Sequence, residues 1–233
     1  MSRKFASKPE ASLSVPDLES ASPFNRLDFT AVIESCLNRP LPDLRSAEAT
    51  DDLLTIFRNH NISIPANPTL PRLLDKLSSN FIEPRCRAPT FITNHPECLA
   101  PLAKSFAHPQ TGQKVAASAE LFVEGQEIAN MYEEENSPFE QRRKFEEALT
   151  YRDDDAVPSI RRLDNHEINE SYLEALEWGL PPTGGWGCGI DRLVMLFSGA
   201  NRIGDVLTFG TLRNVVNLAS VGKPVKKQNT VAE

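Results

Sequence analysis

The stretch that decides the fold is 181–192, Pro-Pro-Thr-Gly-Gly-Trp-Gly-Cys-Gly-Ile-Asp-Arg, and the apolar run 193–197 follows it directly. Gly185, Gly187 and Gly189 recur at every second residue, so an extended strand would carry all three on the same face. A strand with one bare face is usually kept for the close approach of a ligand or of another backbone. The stretch therefore predicts a glycine strand that a flat molecule can approach.

The pattern after the glycines is helical. Its apolar residues fall on one side of a helix, with Gly199 as the end signal, and they are Ile190, Leu193, Val194 and Phe197. Arg192 then lies in the first turn, where a guanidinium can bind a phosphate or stack on a ring. This favours a nucleotide site, although a glycine-rich loop in a crowded core stays open, since the spacing is that of neither common phosphate loop.

Composition narrows the class of protein. The chain has 233 residues, is 40% apolar and carries a net charge of −7, which allows one large domain or two small ones. The acidic balance argues against a surface that coats nucleic acid, while a local basic patch stays possible. No apolar run approaches the ~20 residues of a membrane span. The four cysteines and four histidines show no zinc spacing, which favours reduced thiols over disulfides or a metal site.

The chain order suggests four segments. Residues 1–22 are rich in serine, proline and charge, and we expect them to be disordered and a poor targeting signal. Residues 23–88 read as a helical subdomain of three short helices whose apolar stripes are core and whose faces carry no chemistry. The third of these begins at an N-cap Thr69, with Pro71 in its first turn. Residues 89–221 hold the remaining elements, and 222–233 form a loose tail.

The second informative stretch is 120–134, which predicts a hairpin turning at Glu124-Gly125. If Val123 opposes Gln126, then Glu120 opposes Ala129. Glu120 and Glu127 then lie on one face, close enough to share a divalent cation.

The same hairpin carries a second set of polar residues. Asn130, Tyr132 and Glu134 recur at period two, but with parity opposite to Glu127. Either a β-bulge intervenes or the register differs from this one. The alternative is that the glutamates line the solvated face of an edge hairpin; repulsion between like charges favours a cation instead.

Two helices are predicted between the hairpin and the glycine strand. Ser137, with proline at the next position and Glu140 at the third, forms a capping-box start for a helix that runs to about Tyr151, and we expect its charged face to be solvated. A polar link over 152–163 leads to a helix over 169–178, which Gly179 ends.

These motifs resemble the C-terminal half of a class II aminoacyl-tRNA synthetase catalytic domain. Residues 185–192 look like the third signature motif of that class, and 127–134 are similar to the amino-acid pocket strand of lysyl-tRNA synthetase. The resemblance runs over about 23–218, and 209–214 further resemble the mitochondrial form of fungi. It implies an α+β fold: a partial class II antiparallel sheet flanked by helices, with a helical insertion.

The resemblance also implies roles for the residues singled out above. Arg192 would contact ATP, whose adenine lies by Gly185, Gly187 and Gly189. Glu120 and Glu127 would hold the Mg2+ that bridges the ATP phosphates. The lysine pocket would be lined by Asn130, Tyr132 and Glu134, with Glu134 pairing with the ε-ammonium.

The resemblance further implies the reaction and the partners. The amino-acid carboxylate attacks the ATP α-phosphate, so catalysis is positioning and charge neutralisation, and no protein nucleophile is expected. The partners would be lysine, ATP and tRNA(Lys), with a homodimer in the full-length family and no membrane. The compartment would be the mitochondrion, with the cytoplasm as the alternative.

The chain departs from the family pattern in ways that leave two hypotheses open. We find neither the first two class II motifs nor an anticodon-binding domain, and Ser118-Ala119 stand where the family usually has an arginine and an aromatic residue. The chain is therefore either a fragment of a lysine–tRNA ligase or a non-catalytic synthetase-like protein that binds a nucleotide or a partner. An aspartyl- or asparaginyl-type enzyme is less favoured, because Glu134 would repel a substrate carboxylate.

Overall fold

The computed structural model describes residues 18, 22–151 and 168–207. The expected disorder over 1–22, the polar link over 152–163, the motif at 209–214 and the tail over 222–233 lie wholly or almost wholly outside that part. The helices are α1 (Phe29–Leu37), α2 (Ala49–Asn59), α3 (Leu70–Phe81), α4 (Pro138–Thr150), α5 (Glu170–Glu177) and α6 (Ile190–Ser198). The strands are β1 (Asn25–Asp28), β2 (Thr90–Thr93), β3 (Ser105–Ala107), β4 (Lys114–Ala116), β5 (Ser118–Val123), β6 (Gln126–Glu133) and β7 (Gly184–Cys188).

The described residues between 18 and 188 form one compact unit around a five-stranded sheet. The strand order is β1-β2-β5-β6-β7, and every neighbouring pair is antiparallel except β1 with β2. Strands β3 and β4 form a separate antiparallel pair. This arrangement confirms the predicted α+β class with a mostly antiparallel sheet flanked by helices.

The three N-terminal helices pack on one face of this sheet. Their buried apolar residues form one cluster with Ile92 of β2 and Phe122 of β5. Helix α1 begins at Asp28, whose carboxylate accepts a hydrogen bond from the Ala31 N–H, as expected of an N-cap. Thr69 is the N-cap residue of α3, as predicted. The predicted apolar stripes are thus confirmed as core.

The pair α4 and α5 packs beside the other end of the sheet. The Ser137 hydroxyl accepts a hydrogen bond from the Glu140 N–H, which confirms the predicted start of α4. Phe145 packs with Leu173 and Leu176 of α5 in a small apolar cluster. The prediction of a solvated charged face on α4 was wrong, because Lys144 is only 2% exposed and forms buried ionic contacts.

The described residues from 189 onward belong to a second unit, which contains α6. Gly189 is the N-cap, and Gly199 ends the helix in the left-handed conformation with φ of 65°, as the sequence predicts. Arg192 lies in the first turn, and its aliphatic stem lies over Gly189.

All four cysteines are free thiols in this structure. Across 22–151 and 168–207, no helix combines the length and the apolar character that crossing a bilayer requires.

Candidate functional site

The hairpin turns where the sequence predicts. A β-bulge in the hairpin explains why Asn130 and Glu127 can share a face although they are three residues apart. Glu124 and Gly125 occupy the turn with φ of 53° and 75°, and Val123 pairs with Gln126 as expected. The register then shifts by one residue, so Glu120 opposes Asn130. The predicted pairing of Glu120 with Ala129 was wrong, because the extra residue of the bulge was not counted.

The bulge brings Asn130 to the face that Glu120 and Glu127 already share. Side chains directly opposite each other share a face, so Glu127 joins Phe122, and Asn130 joins Glu120. The Asn130 amide donates a hydrogen bond of 3.2 Å to Glu127 Oε1. Without a bulge, two residues that are three apart in a strand would lie on opposite faces.

Two acidic residues of the helical subdomain, Asp75 and Glu83, lie near the carboxylates of the hairpin. Burial, and then the Glu120 carboxylate, raise the pKa of Asp75 on α3. Burial, followed by Asp75, Glu120 and Glu127, raises the pKa of Glu83. Tertiary packing thus brings Asp75 of α3 and Glu83, which follows α3, near the carboxylates of the hairpin, and no local pattern could have revealed this proximity. That the three helices carry no chemistry stays a prediction.

The donor set at Glu120 and Glu127 suits one kind of cation. Within 22–151 and 168–207, no group of three His, Cys, Asp or Glu side chains is arranged to hold a metal by itself. Mg2+ typically uses one or two carboxylates and completes its shell with water and substrate phosphates. Asp75 and Glu83, whose pKa values are raised first by burial and then by the neighbouring negative charges, fit such a cation as well.

A histidine missed by the sequence analysis lies against Glu120. His95, which follows β2 in the chain, is buried, and its Nε2 lies 3.3 Å from Glu120 Oε2. Its Nδ1 lies 3.3 Å from the hydroxyl oxygen of Ser118. Ser118, noted above as a departure from the family pattern, therefore bonds the side chain that borders Glu120.

The glycine strand β7 leaves room for side chains that β6 and the residue after it place over it. Asn130 pairs with Gly187, and a Cβ added to Gly187 would lie 2.9 Å from Asn130 Oδ1. A Cβ added to Gly185 would overlap the Glu134 carboxylate. Asn130 and Glu134 therefore lie on the bare face predicted for this strand. The approach of an adenine ring to the same face stays a prediction, as does any role of Arg192 there.

Glu134 is a partly desolvated carboxylate with no cation beside it. Among the described residues, none gives its side chain a hydrogen bond or a salt bridge, and burial raises its pKa. Burial and the Glu134 charge in turn raise the pKa of Tyr132. An acid in such surroundings favours a cationic ligand, because a positive charge would offset the lost hydration.

The next residue, Glu135, has the opposite environment. Lys144 donates hydrogen bonds of 2.7 Å to Glu135 Oε2 and 2.5 Å to the Ala103 carbonyl. Burial raises the pKa of Glu135, but hydrogen bonds from Lys144 and from the Ser137 N–H outweigh it, so this pKa lies below its usual range. Ala103 pairs with Glu134 through a β-bridge, so Lys144 bonds both the bridge partner of Glu134 and the side chain of the residue that follows it.

A cavity of about 450 Å³ opens between the sheet, α4 and α5 within the first unit. Its walls are largely apolar and include Leu102, Tyr132, Phe145 and Tyr172, and Glu120, Asn130 and His95 add polar atoms. Two of the residues predicted to bind the amino acid, Asn130 and Tyr132, thus line the same cavity as Glu120.

The comparisons with known proteins point in one direction. A profile of the family described as tRNA synthetases class II (D, K and N) matches residues 2–213. The mitochondrial lysine–tRNA ligase of Schizosaccharomyces pombe is 38% identical over 206 residues, which cover 85% of this chain and 37% of that protein. The lysine–tRNA ligase of Enterococcus faecalis is 36% identical, with 84% of this chain and 37% of that protein covered.

A cytoplasmic relative is similar at the same level. The probable cytoplasmic lysine–tRNA ligase of Encephalitozoon cuniculi is 41% identical over 169 residues, which cover 71% of this chain and 31% of that protein. The chain thus spans about a third of the length of these curated relatives.

Proposed function

Because this chain belongs to the class II tRNA synthetases (D, K and N), we propose that it is part of a lysine–tRNA ligase, which activates lysine with ATP and transfers it to tRNA(Lys). One observation carries the choice of lysine: the Glu134 carboxylate is partly desolvated and has no cationic partner among the described residues. The ε-ammonium of lysine would supply that partner. The similarity to lysine–tRNA ligases supports the same choice.

The alternative substrates of the family fit this carboxylate less well. The side chain of aspartate would place a second negative charge beside Glu134, whose pKa is already raised by burial. Two like charges in a poorly hydrated site repel strongly. The amide of asparagine is neutral and would leave the Glu134 charge uncompensated. A cationic side chain is the best match.

Each residue has a role in the proposed reaction. Glu120 and Glu127 would hold Mg2+, which when bound offsets the negative charge of the ATP phosphates. Asn130, held by Glu127 and lying over Gly187, would orient the amino acid in the cavity. Arg192 would bind ATP, with the adenine beside Gly185, Gly187 and Gly189. The substrate carboxylate is itself the nucleophile, so these residues bind and align without forming a covalent bond.

The compartment and the assembly belong to the same proposal. Similarity to the mitochondrial enzyme of S. pombe supports a mitochondrial role, and similarity to cytoplasmic relatives supports the cytoplasm as the alternative. A homodimer is proposed from the family resemblance.

A non-catalytic synthetase-like protein is the second candidate. It is favoured by Ser118, which bonds His95 in a position where the resemblance leads us to expect an arginine. Lysine-dependent ATP–pyrophosphate exchange separates the two candidates. Exchange above background by the folded chain supports the ligase, whereas no exchange alongside normal nucleotide binding supports the second candidate.

The lysine assignment is tested by a pair of matched variants. Glu134→Gln should weaken lysine binding at least about tenfold and leave ATP binding near wild type, because only the charge that pairs with the ammonium is lost. Arg192→Ala should do the reverse. Isothermal titration with lysine and with ATP plus Mg2+ measures both, and circular dichroism checks folding. Equal losses of both ligands in Glu134→Gln would rule out the assignment.

A further inference from the structure

Tyr172 is an aromatic residue that the sequence analysis did not single out. It lies in the first turn of α5, and its N–H donates a hydrogen bond of 3.0 Å to the side chain of Asn169, the N-cap residue. Its ring centroid lies 5.9 Å from that of Phe145 on α4. Helix capping and ring packing therefore fix the position of this side chain.

The surroundings of Tyr172 link it to the proposed lysine pocket. It lines the 450 Å³ cavity together with Asn130 and Tyr132. Burial, followed by the charges of Glu134 and Tyr132, raises the pKa of its phenol, so Glu134 acts on both rings. Among the described residues, none forms a hydrogen bond with the Tyr172 hydroxyl.

We propose that Tyr172 is a specificity-determining residue, whose ring forms an apolar wall of the amino-acid pocket and selects a long aliphatic side chain that ends in an ammonium group. This inference rests on the proposed function, since it names a further part of the same site. Tyr132 comes from the sheet and Tyr172 from α5, so two rings from different elements line one cavity.

The physical basis is contact area and charge. Each methylene group that the ring removes from water adds to the affinity, so a side chain with one methylene fewer loses part of this contact. The face of a phenol also attracts an ammonium group. Both effects belong to the ring, and the hydroxyl adds little to either.

A purely structural role for Tyr172 is the competing explanation, because Tyr172 also packs against the apolar cluster of α4 and α5. Leu176 provides the matched control. It is a buried member of the same cluster and does not line the cavity. Leu176→Ala should therefore lower stability without changing the wall of the pocket.

The experiment measures the affinities of lysine and ornithine by NMR titration of the full chain, with urea unfolding in parallel. For Tyr172→Ala we expect lysine affinity to fall about tenfold and the preference for lysine over ornithine to shrink. Tyr172→Phe should stay within about twofold of wild type, and Leu176→Ala should keep the preference despite its lower stability.

The outcomes separate the inference from the proposed function. If Glu134→Gln loses lysine but Tyr172→Ala binds lysine and ornithine like wild type, the inference fails and the proposed function stands. An equal loss of preference in Leu176→Ala would also overturn the inference. If the folded wild type binds neither diamino acid, the proposed function is overturned together with the inference that rests on it.

Discussion

The unit formed by residues 18–188 contains two cores that are built differently. The core around α1, α2 and α3 consists of apolar side chains, such as Leu53, Leu74 and Leu77, which are fully buried. The core around α4 has only a small apolar cluster and instead buries charged residues, including Glu97 and Lys144. Lys144 lies 4.0 Å from Glu97 and 2.7 Å from Glu135.

The core that contains buried charges is the one that lies beside the candidate site. Apolar packing is tolerant of small shifts, whereas hydrogen-bonded charges hold a backbone in one geometry. The strand end that carries Glu134 is held by the second kind of core, through Lys144 and the Ala103 carbonyl. The carboxylate that we propose to bind lysine therefore lies beside the charged core, whose contacts depend on charge more than those of the apolar core do.

The largest effect should come from removing the buried cation. Lys144→Met leaves the buried Glu135 carboxylate without its cationic partner, while Glu97 keeps Lys114 and Arg143. We expect the free energy of unfolding to fall by about 3–5 kcal/mol. Urea unfolding at pH 7 measures the loss. The double variant Lys144→Met with Glu135→Leu should recover much of it, because no uncompensated charge then remains at Glu135. No recovery would mean that Lys144 acts through packing alone.

A cavity in the first core should cost nearly as much but behave differently. Leu74→Ala should lower the free energy of unfolding by about 2–4 kcal/mol, since a fully buried leucine leaves a void. The loss should be the same at pH 5 and pH 7, because no charged group is removed. A loss that changed with pH would contradict the distinction between the two cores.

The pH dependence of the wild type should reflect the second core. Burial raises the pKa of Glu97, but hydrogen bonds from Ser105, Lys114 and Arg143 outweigh it, so this pKa, like that of Glu135, is lowered. A lowered pKa stabilises the fold above the unfolded-state value of about 4.3, and this stability is lost as the pH falls through the folded-state value.

This dependence is measured by urea unfolding between pH 7 and pH 3. The wild type and Leu74→Ala should lose stability over the acid part of that range with similar slopes, and Lys144→Met should show a shallower slope. Glu134, Asp75 and Glu83 oppose the trend, because burial raises their pKa values and protonation relieves the cost of burying their charges. Equal slopes in all three proteins would contradict the assignment to Glu97 and Glu135.

The smallest effect on stability should come from the glycine strand. In Gly185→Ala the new methyl group would displace the Glu134 carboxylate, which is the mobile end of a side chain, so we expect a stability change below about 1 kcal/mol. Lysine affinity should nevertheless fall as it does in Glu134→Gln. Gly184→Ala is the control, because a Cβ there would meet no atom within 4 Å. Unchanged lysine binding in Gly185→Ala would separate Glu134 from lysine recognition.

Local sequence patterns were sufficient for much of this fold. Apolar periodicity and the caps at Thr69, Ser137 and Gly199 mark helices because these signals act within a few residues. The hairpin turn was also predictable, since glycine at the second turn position allows the left-handed backbone. The resemblance to class II synthetases rested on equally local motifs, and the family comparison confirms it.

Features that depend on tertiary packing could not be predicted. The bulge left two registers open, because a parity mismatch alone does not show which residue is extra. Lys144 looked like part of a solvated helix face, since burial of a lysine depends on partners at Glu135 and Ala103 that helical spacing does not reveal. His95 and Tyr172 reach the cavity from distant segments. The predicted roles of Arg192 and of the glycines toward ATP stay predictions.

The turn at Glu124 and Gly125 also bears on the order of folding. Its backbone N–H groups donate hydrogen bonds to the carbonyls of Arg87 and Cys86, so the turn is fastened to the segment that leads into β2. Strands β5 and β6 are joined by two residues, whereas β6 and β7 are separated by α4, α5 and their connections. Loop closure costs more entropy as the loop grows, and short hairpins form within microseconds. We therefore expect the face that carries Glu120, Glu127 and Asn130 to assemble early, and the glycine strand beneath Asn130 and Glu134 to join it late.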